Sequence, residues 1–271
     1  MKQDAAEELS ALRDAALEAA ERTRRDFGTV RTGAVQFKSE KDLVTETDYA
    51  VEALLRERLC HAFPQAHFIG EESDSGEALA TSLPEALVVD PLDGTANFVH
   101  GIPYYSISIA LLREGRTVAA VVAAPELGAT YTATLGGGAF RNGQAIAVSE
   151  RSSLGSAIGS TGFAAIRSGL KPDNVPLLSR AVYELRDIRR FGSAAIDLCY
   201  VAEGKIELFW EFALNDWDIA AGALILREAG GRVSTIEGAD AYLGGDSLLG
   251  SNGLVHDEFL RLARDVLAQT P

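Results

Sequence analysis

The chain begins with two stretches in which apolar residues recur at helical spacing. In the first stretch, they fall three or four positions apart at Leu9, Leu12, Ala16 and Ala19. This spacing predicts an amphipathic helix over roughly residues 5–27. In the second stretch, one apolar face is formed by Val51, Leu54, Leu55 and Leu59. It predicts a helix after Asp48, which Thr47 or Asp48 can cap, so we expect Asp48 at a helix start.

Strand-sized apolar runs dominate the middle of the chain. The predicted strands there are residues 86–89, 104–112, 117–124 and 129–134. The Asn142-Gly143 pair then predicts a tight hairpin turn. Later elements alternate, with strands at 156–160, 188–191, 206–210, 232–234 and 247–250, and helices at 193–202, from Asp218, and at 256–267. We therefore predict a mixed α/β fold, with an α+β half over residues 1–148 and an α/β half over residues 149–271.

The central chemical motif is the sequence DPLDGT at residues 90–95, which follows a run of four apolar residues. A buried strand that closes on an acid delivers a carboxylate to its end, and Pro91, which lacks an N–H, is expected to stop the ladder. Asp93 would share one turn with Asp90, and Thr95 would begin a short helix. Carboxylates suit Mg²⁺, and helix N–H groups suit phosphate. The simpler interpretation is an Asp-rich turn that only caps a helix.

Two further acidic clusters lie at the ends of predicted elements. Glu71 and Glu72 follow a short apolar strand and Gly70, and Asp218 stands at the start of an apolar helix. Each cluster has a simple interpretation alone: solvated loop charges for the glutamates, and an acid favoured by the helix dipole for Asp218. Together with residues 90–95, however, they predict one site assembled from distant parts of the chain.

These motifs give the chain a resemblance to the inositol monophosphatase family, within the larger fold group that includes fructose-1,6-bisphosphatase. Three of them carry most of the resemblance: GEES at residues 70–73, DPLDGTANFVH at 90–100 and WDIAAG at 217–222. The supporting matches are Lys38, DLVTETD at residues 42–48 and GSAA at 192–195. All of them occur in the family's order and extend over most of the chain. The resemblance implies a layered αβαβα sandwich with the site between its two halves.

The resemblance also implies a Mg²⁺-dependent, lithium-sensitive phosphatase that uses two to three ions and a water nucleophile, without a covalent phosphoenzyme. The metal ligands that it implies are Glu71, Asp90, the backbone carbonyl of Leu92, Asp93 and Asp218. It further implies that the Thr95 hydroxyl and Asp48 orient and deprotonate the attacking water. A hydroxyl bonded to a carboxylate suits such a proton relay.

A second set of residues would bind the substrate. By resemblance these are Gly94, Thr95, Asp93, Gly192, Ser193, Ala194, Glu211 and Asp218. The N–H groups of Gly94 and Thr95 would hold phosphate at a helix N-terminus. Residues 192–194 have an equally simple interpretation as an ordinary Ser helix cap, and Glu211 as a surface glutamate.

Two supporting residues complete the expected site. Lys38 would offset the acidic cluster or contact phosphate, and the alternative is a solvated loop lysine. Glu72 is expected to support Glu71 without touching metal.

Charge and composition narrow the range of partners. With 39 acidic and 25 basic residues, the formal net charge is −14, which disfavours nucleic acid and anionic membranes as partners. No apolar run reaches the length of a membrane span, and no secretory signal is visible. Cys60 and Cys199 are expected as reduced residues within helices, and the four histidines lack metal-ligand spacing. These features agree with a cytoplasmic enzyme, and the resemblance implies that it acts on a small phosphorylated molecule.

These observations predict a phosphoric monoester hydrolase with inositol 1-phosphate as the leading substrate. The alternatives within the class are fructose-1,6-bisphosphate, histidinol phosphate and 3′-phosphoadenosine 5′-phosphate. No basic cluster accompanies the motifs, so no pocket for a second phosphate is expected. Glu211 and the sequence NFVH at residues 97–100 favour inositol phosphate over a nucleotide. From a different class, the alternative is a regulatory binding protein on the same scaffold. The resemblance also implies a homodimer.

Overall fold

The computed structural model describes residues 2–28, 35–39, 42–73, 80–240 and 242–269. Its helices are α1 (Lys2–Asp26), α2 (Glu46–Ala62), α3 (Thr95–Val99), α4 (Ala164–Ser168), α5 (Asn174–Glu184), α6 (Ala194–Ala202), α7 (Asp216–Glu228) and α8 (His256–Leu267). Its strands are β1 (Val35–Ser39), β2 (Asp42–Thr45), β3 (His67–Gly70), β4 (Glu85–Asp93), β5 (Ser106–Arg113), β6 (Arg116–Ala124), β7 (Ala129–Thr134), β8 (Gly138–Arg141), β9 (Gln144–Ala145), β10 (Ile158–Thr161), β11 (Asp187–Arg189), β12 (Leu208–Phe212), β13 (Arg232–Ser234) and β14 (Ser247–Ser251).

A seven-stranded sheet forms the N-terminal part of the fold, in the order β3-β4-β5-β6-β7-β8-β9. β3 and β4 are parallel, and each later neighbour pairs antiparallel. β5 and β6 are buried almost throughout, as expected for strands that are covered on both faces. The predicted hairpin joins β8 to β9, and Asn142 and Gly143 have φ angles of 49° and 78°, because a type I′ turn requires both to be positive.

A five-stranded sheet forms the C-terminal part, in the order β11-β10-β12-β14-β13. β10 is parallel to both β11 and β12, whereas β14 is antiparallel to β12 and to β13. Parallel neighbours need a crossover connection, and helices supply it here: α4 and α5 lie between β10 and β11, and α6 lies between β11 and β12. A separate two-stranded sheet joins β1 to β2.

The helices and the two large sheets stack as five layers. α1 and α2 pack on one face of the seven-stranded sheet, where they meet side chains such as Val121. The adjacent residue Val122 points to the opposite face, because side chains alternate along a strand, and there it packs with α6 and α7. These two helices also contact Phe209 of the second sheet. α5 and α8 cover the outer face of that sheet around Trp210. The result is the predicted αβαβα sandwich.

The strands of the first large sheet lie between residues 67 and 145, and those of the second between residues 158 and 251. The predicted division after residue 148 falls in the segment between them. α6 and α7 share one hydrophobic core with both sheets. The division of the chain into two halves at residue 148 therefore stays a prediction. No helix among the described residues is both long and apolar enough to cross a membrane.

Three details differ from the sequence-based predictions. α2 is capped by Thr45, not by Thr47 or Asp48, because Asp48 at the third helical position accepts from the Thr45 N–H and completes a capping box. α7 begins at Asp216, so Asp218 is its third residue instead of its first. The apolar pattern also predicts neither α4 nor α5. α4 has only five residues, and α5 carries Pro176 in its first turn, where proline is tolerated in a helix.

Pro91 does not stop β4, and this correction bears directly on the site. The strand continues to Asp93, but its register with β5 shifts: Asp90 pairs with Ser108, and Asp93 pairs with Ser106. Two residues of β4 therefore face one residue of β5, which is a β-bulge. The missing N–H of Pro91 is tolerated inside this bulge. A bulge also adds local twist, which redirects the side chains at the end of the strand.

Candidate active site

The bulge at the end of β4 fixes the first carboxylate. Asp90 is 1% exposed, and its Oδ1 accepts a hydrogen bond of 2.9 Å from the Leu92 N–H. This local bond closes a turn around Pro91 and holds the carboxylate rigid. The Leu92 side chain packs with Phe98 and Tyr105, so its backbone is anchored as well. These contacts hold the end of β4 rigid, and Asp90 and Leu92 both line a pocket.

Asp93 is held by the N-terminus of α6, an element 100 residues further along the chain. Its Oδ2 accepts from the Ser193 hydroxyl at 2.6 Å and from the Ala195 N–H at 2.8 Å, and its Oδ1 accepts from the Ala194 N–H at 3.3 Å. These are unpaired N–H groups of a helix start, where the helix dipole also favours an anion. The contact ties the two large sheets together through a single side chain.

Asp218 reaches the same place from α7. It completes a capping box with Asn215, whose N–H donates to Asp218 Oδ2 at 2.8 Å. One carboxylate oxygen each from Asp90, Asp93 and Asp218 lies within 4.8 Å of the others, a spacing that lets them ligate one cation. Glu71 lines the same pocket from the turn that follows β3. The structure thus brings together the three acidic clusters that the sequence predicts for one site.

Burial and mutual repulsion disfavour the charged forms of these acids. Burial, and then the charge of Glu71, raise the pKa of Asp90 well above the ordinary value for aspartate, and the same two causes act on Asp218. Burial raises the pKa of Asp93 to about 6, although the hydrogen bonds from Ser193 and from the α6 N–H groups oppose that shift. No lysine or arginine among the described residues forms an ion pair with these three aspartates. A bound cation would remove the repulsion.

A hydroxyl and a carboxylate stand together beside this cluster. The Thr95 hydroxyl lies 3.1 Å from Asp48 Oδ1 and 3.0 Å from the carbonyl oxygen of Leu92, and it can donate to either. The other oxygen of Asp48 accepts from the N–H and hydroxyl of Thr45, at 2.8 and 2.5 Å. Burial raises the pKa of Asp48, although the hydrogen bonds from Thr45 oppose that shift.

Glycine is required where the two halves of the site meet. Gly94 has a φ of 99°, and a Cβ there would lie 3.1 Å from the carbonyl oxygens of Gly192 and Tyr104. Gly192 has a φ of 100°, and a Cβ there would lie 2.8 Å from Asn97 Nδ2. The Asn97 amide in turn donates to the carbonyls of Tyr104 and Phe191, at 2.7 and 2.8 Å. These contacts fix the backbone on both sides of the pocket.

The pocket is also lined by Glu211 and by several residues that the sequence analysis missed. Glu211 is 5% exposed and accepts from the Ala164 N–H at 2.8 Å, and burial raises its pKa to about 7. Arg167, Arg190 and Asp197 line the same cavity, whose volume is about 220 Å³. Asp197 could have been found from its spacing, since it follows Ser193 by one helical turn.

Two arginines line the pocket, although the sequence analysis expected no basic cluster beside the motifs. Arg167 lies on α4, which the apolar pattern does not predict, and Arg190 precedes Gly192 by two residues. No ion pair joins either side chain to an acid among the described residues. Both nevertheless lower the pKa of Glu211 through their charge, against the dominant effect of burial.

Most of the predicted site residues line one pocket. These are Glu71, Asp90, Leu92, Asp93, Gly94, Thr95, Gly192, Ser193, Ala194, Glu211 and Asp218. Asp48 touches it through Thr95, and Glu72 lies next to Glu71 in the turn. Ser193 is a helix cap, as the simpler interpretation predicts, but its hydroxyl also holds Asp93. Lys38 lies in β1, and its side chain is outside the described part of the chain.

Comparison with known proteins gives consistent relatives. The family model of the inositol monophosphatase family matches residues 4–268 of the chain. An inositol-1-monophosphatase of Rhizobium meliloti (strain 1021) is 41% identical over 244 residues, which cover 90% of this chain and 91% of that protein. A fructose-1,6-bisphosphatase/inositol-1-monophosphatase of Thermotoga maritima is 38% identical over 231 residues, covering 84% and 85%. The Nus factor SuhB of Pseudomonas aeruginosa is 42% identical over 212 residues, covering 78% of both chains.

The fold agrees with these sequence matches. The structure of the extragenic suppressor protein suhB from Bartonella henselae superposes with a TM-score of 0.85 at 34% identity, covering 94% of this chain and 98% of that one. The layered α/β sandwich, the family match and the inositol-1-monophosphatases among the relatives together define a phosphatase. The chain belongs to the inositol monophosphatase family, as the sequence motifs predict.

Proposed function

We propose that this phosphatase is Mg²⁺-dependent and hydrolyses inositol 1-phosphate to inositol and phosphate. The observation that carries the proposal is the convergence of Asp90, Asp93 and Asp218, with carboxylate oxygens within 4.8 Å of one another, beside a Thr95–Asp48 hydrogen bond of 3.1 Å. Phosphate monoesters are among the slowest compounds to hydrolyse, so the site must neutralise charge and position water at the same time.

The donor set fits Mg²⁺. Carboxylates and a backbone carbonyl are hard oxygen ligands. Burial and the charge of Glu71 raise the pKa values of Asp90 and Asp218, a repulsion that a bound cation would offset. We assign Glu71, Asp90, Asp93, Asp218 and the Leu92 carbonyl as the residues that would hold two to three ions. Bound Mg²⁺ would neutralise the phosphoryl oxygens and lower the pKa of the attacking water.

The chain's own residues would move the proton. The Thr95 hydroxyl can accept a hydrogen bond from the attacking water while it donates to Asp48 Oδ1. Asp48 is a better base than an exposed aspartate, because burial raises its pKa. Its second oxygen is fixed by Thr45, so the carboxylate keeps its orientation during the transfer. While the Thr95 hydroxyl donates to Asp48, the lone pairs of the Leu92 carbonyl oxygen are available to ligate a cation.

Recognition of the inositol ring is assigned to the part of the pocket wall that carries Glu211. Glu211 is held at Oε1 by the Ala164 N–H, which leaves its carboxylate oriented for substrate hydroxyls. The Gly94 and Thr95 backbone would hold the phosphate at the start of α3, and the start of α6 would lie beside the ring hydroxyls. The loss of a buried polar contact to one hydroxyl typically costs about 1–3 kcal/mol, or roughly tenfold to a hundredfold in affinity.

A phosphate-release screen over sugar, inositol, nucleotide and amino-alcohol phosphates tests this assignment, with the Glu211→Gln variant beside the wild type. Inositol 1-phosphate should be the best monophosphate substrate. The variant should lose about tenfold to a hundredfold in kcat/KM on it and much less on an aryl phosphate that has no hydroxyls. Equal losses on both substrates would show that Glu211 shapes the metal site, and the inositol assignment would lose its strongest residue.

A second candidate substrate is a sugar bisphosphate such as fructose-1,6-bisphosphate. Arg167 and Arg190 favour it, because both line the pocket and could bind a second phosphate. The Thermotoga relative is named for both activities. Replacing both arginines with glutamine should lower kcat/KM for the bisphosphate at least tenfold more than for inositol 1-phosphate. Equal effects on the two substrates would remove this candidate.

We also propose that the protein is a cytoplasmic homodimer. The unpaired thiols of Cys60 and Cys199 are consistent with a reducing compartment. Large apolar side chains are exposed along α5, with Val182 57% and Tyr183 85% exposed, and such a patch commonly marks an interface. Light scattering coupled to size exclusion should give twice the chain mass, and Val182→Glu should shift it toward the monomer. A wild-type monomer at micromolar concentration would contradict the proposal.

A further inference from the structure

Besides Asp48, helix α2 carries two polar side chains that contact the turn holding Glu71. Glu52 lies one turn after Asp48 on the same face and is only 4% exposed. Arg56 follows one turn later, with its guanidinium over the ring of Phe68 at 4.2 Å. Neither residue lines the pocket, yet a buried glutamate needs a partner to offset its loss of hydration.

The partner of Glu52 is the backbone of the turn that carries Glu71. Glu52 Oε2 accepts a hydrogen bond of 2.7 Å from the Glu72 N–H. The carboxylate also sits directly against Gly70, where a Cβ would lie 2.5 Å from the same oxygen. Gly70 has an ordinary φ angle, so glycine is needed here for space and not for backbone conformation. The turn is therefore built around the Glu52 carboxylate.

Arg56 holds the other end of the same turn. Its guanidinium donates to the Ser73 hydroxyl and lies 3.9 Å from Glu52 Oε1. Glu52 thus contacts Gly70 and Glu72, the residues on either side of Glu71, and Arg56 contacts the next residue, Ser73. The turn itself has few backbone contacts: the Glu71 N–H donates to the Val89 carbonyl and the Ser73 N–H to the Gly70 carbonyl, each at 3.2 Å.

We propose that Glu52, supported by Arg56, is a positioning residue that sets where the Glu71 carboxylate stands relative to Asp90, Asp93 and Asp218. The inference rests on the proposed function, since it concerns Glu71 as a metal ligand. α2 then carries both halves of the machinery on one rigid element: Asp48 for the proton, and Glu52 for the turn with the glutamate ligand. Residues that orient metal ligands in this way commonly contribute tenfold or more to metal affinity.

The test replaces Glu52 with glutamine, which keeps the size and an acceptor oxygen but removes the charge. A charge-assisted hydrogen bond is roughly twice as strong as a neutral one, so the Glu72 N–H should be held less firmly. In the metal-free protein, amide hydrogen exchange at Glu72, followed by NMR, should accelerate about fivefold to tenfold. Mg²⁺ titrated by calorimetry should bind about tenfold more weakly, at the low end of the range for such residues because an acceptor remains.

The matched control is Glu57→Gln, the same chemical change on the exposed face of α2. It should leave both Glu72 exchange and Mg²⁺ affinity unchanged. A double-mutant cycle with Glu71→Gln separates positioning from general weakening, because the effect of Glu52→Gln on Mg²⁺ affinity should nearly vanish once the Glu71 charge is gone.

The outcomes are distinguishable. Faster exchange at Glu72 with unchanged Mg²⁺ affinity would make Glu52 a purely structural residue and would overturn the inference. A full effect of Glu52→Gln in the Glu71→Gln background would overturn it as well. Wild-type protein that binds no Mg²⁺ would instead refute the proposed function. Weaker Mg²⁺ binding that depends on Glu71, with an unaffected control, supports the inference.

Discussion

Glu211 makes a prediction about stability that needs no substrate. Its carboxyl is 5% exposed, and burial raises its pKa from the ordinary glutamate value of 4.5 to about 7. A group whose folded pKa is raised above its unfolded value contributes stability that is fully present below the unfolded pKa. That stability is lost as the pH rises through the folded pKa. The native protein should therefore weaken between about pH 4.5 and pH 7, because Glu211 must ionise inside the pocket wall.

The magnitude follows from the two pKa values. A difference of about 2.5 units between 4.5 and about 7 corresponds to ~3 kcal/mol, an upper figure because Arg167 and Arg190 can adjust to the new charge. Glu211→Gln removes the ionisation but keeps an oxygen that can accept from the Ala164 N–H. Relative to wild type, the variant should gain ~3 kcal/mol in unfolding free energy between about pH 4.5 and pH 8.

Urea unfolding of both proteins at several pH values, with chelator present, measures this difference. Carboxylates remote from Glu211 titrate equally in the two proteins and cancel in the comparison. The Glu211 charge raises the pKa values of Asp197 and Asp218, so its removal adds to the same gain. Glu57→Gln is the control, since its side chain is exposed and its stability difference from wild type should not vary with pH. A difference for Glu211→Gln that stays constant with pH, or that falls as the pH rises, would refute the burial argument.

Three further predictions follow from the site. Thr95→Val should lower kcat about a hundredfold or more while Mg²⁺ affinity stays within a few-fold, whereas Thr95→Ser should keep most of the activity; equal losses in both would place the proton relay elsewhere. Li⁺ should inhibit phosphate release more deeply as substrate concentration rises, and a rate untouched by Li⁺ at saturating substrate would contradict the family's ion arrangement. Gly94→Ala should cost roughly 1–3 kcal/mol of unfolding free energy. Gly101→Ala should cost less, because Gly101 has a φ of 69° but open space where a Cβ would lie. Equal costs would mean that the packing of Gly94 against Gly192 contributes nothing.

The apolar pattern predicted a mixed α/β fold, and the family resemblance implied its layered architecture. The apolar runs that become β5 and β6 are continuous, and such runs predict strands that are covered on both faces. DPLDGT at residues 90–95 combines turn-forming and acidic residues at one strand end, so the carboxylate cluster could be predicted from the motif and the resemblance. The motif itself is local, whereas Glu71 and Asp218 were joined to it through their places at the ends of predicted elements and through the resemblance.

The features that the sequence left out depend on distant contacts. Pro91 is a poor strand residue in isolation, and only the bulge opposite β5 accommodates it. The hydrogen bond from Ser193 to Asp93 joins residues 100 positions apart in the chain. No spacing rule could therefore reveal that Ser193 holds Asp93 as well as capping α6. Arg167 and Arg190 reach the pocket from separate elements, and their convergence required the three-dimensional fold.

The central claim is that the buried aspartates work only with a bound divalent cation. The most direct measurement is the rate of phosphate release from inositol 1-phosphate against free Mg²⁺ concentration, for wild type, Asp93→Asn and the control Asp173→Asn. Asp173 is a buried aspartate that caps α5, a role that asparagine fills equally well. We predict no wild-type activity under chelation, saturable recovery with Mg²⁺, a loss of at least about a hundredfold for folded Asp93→Asn, and an unaffected control. Full activity after exhaustive chelation, or wild-type turnover by Asp93→Asn, would contradict the account.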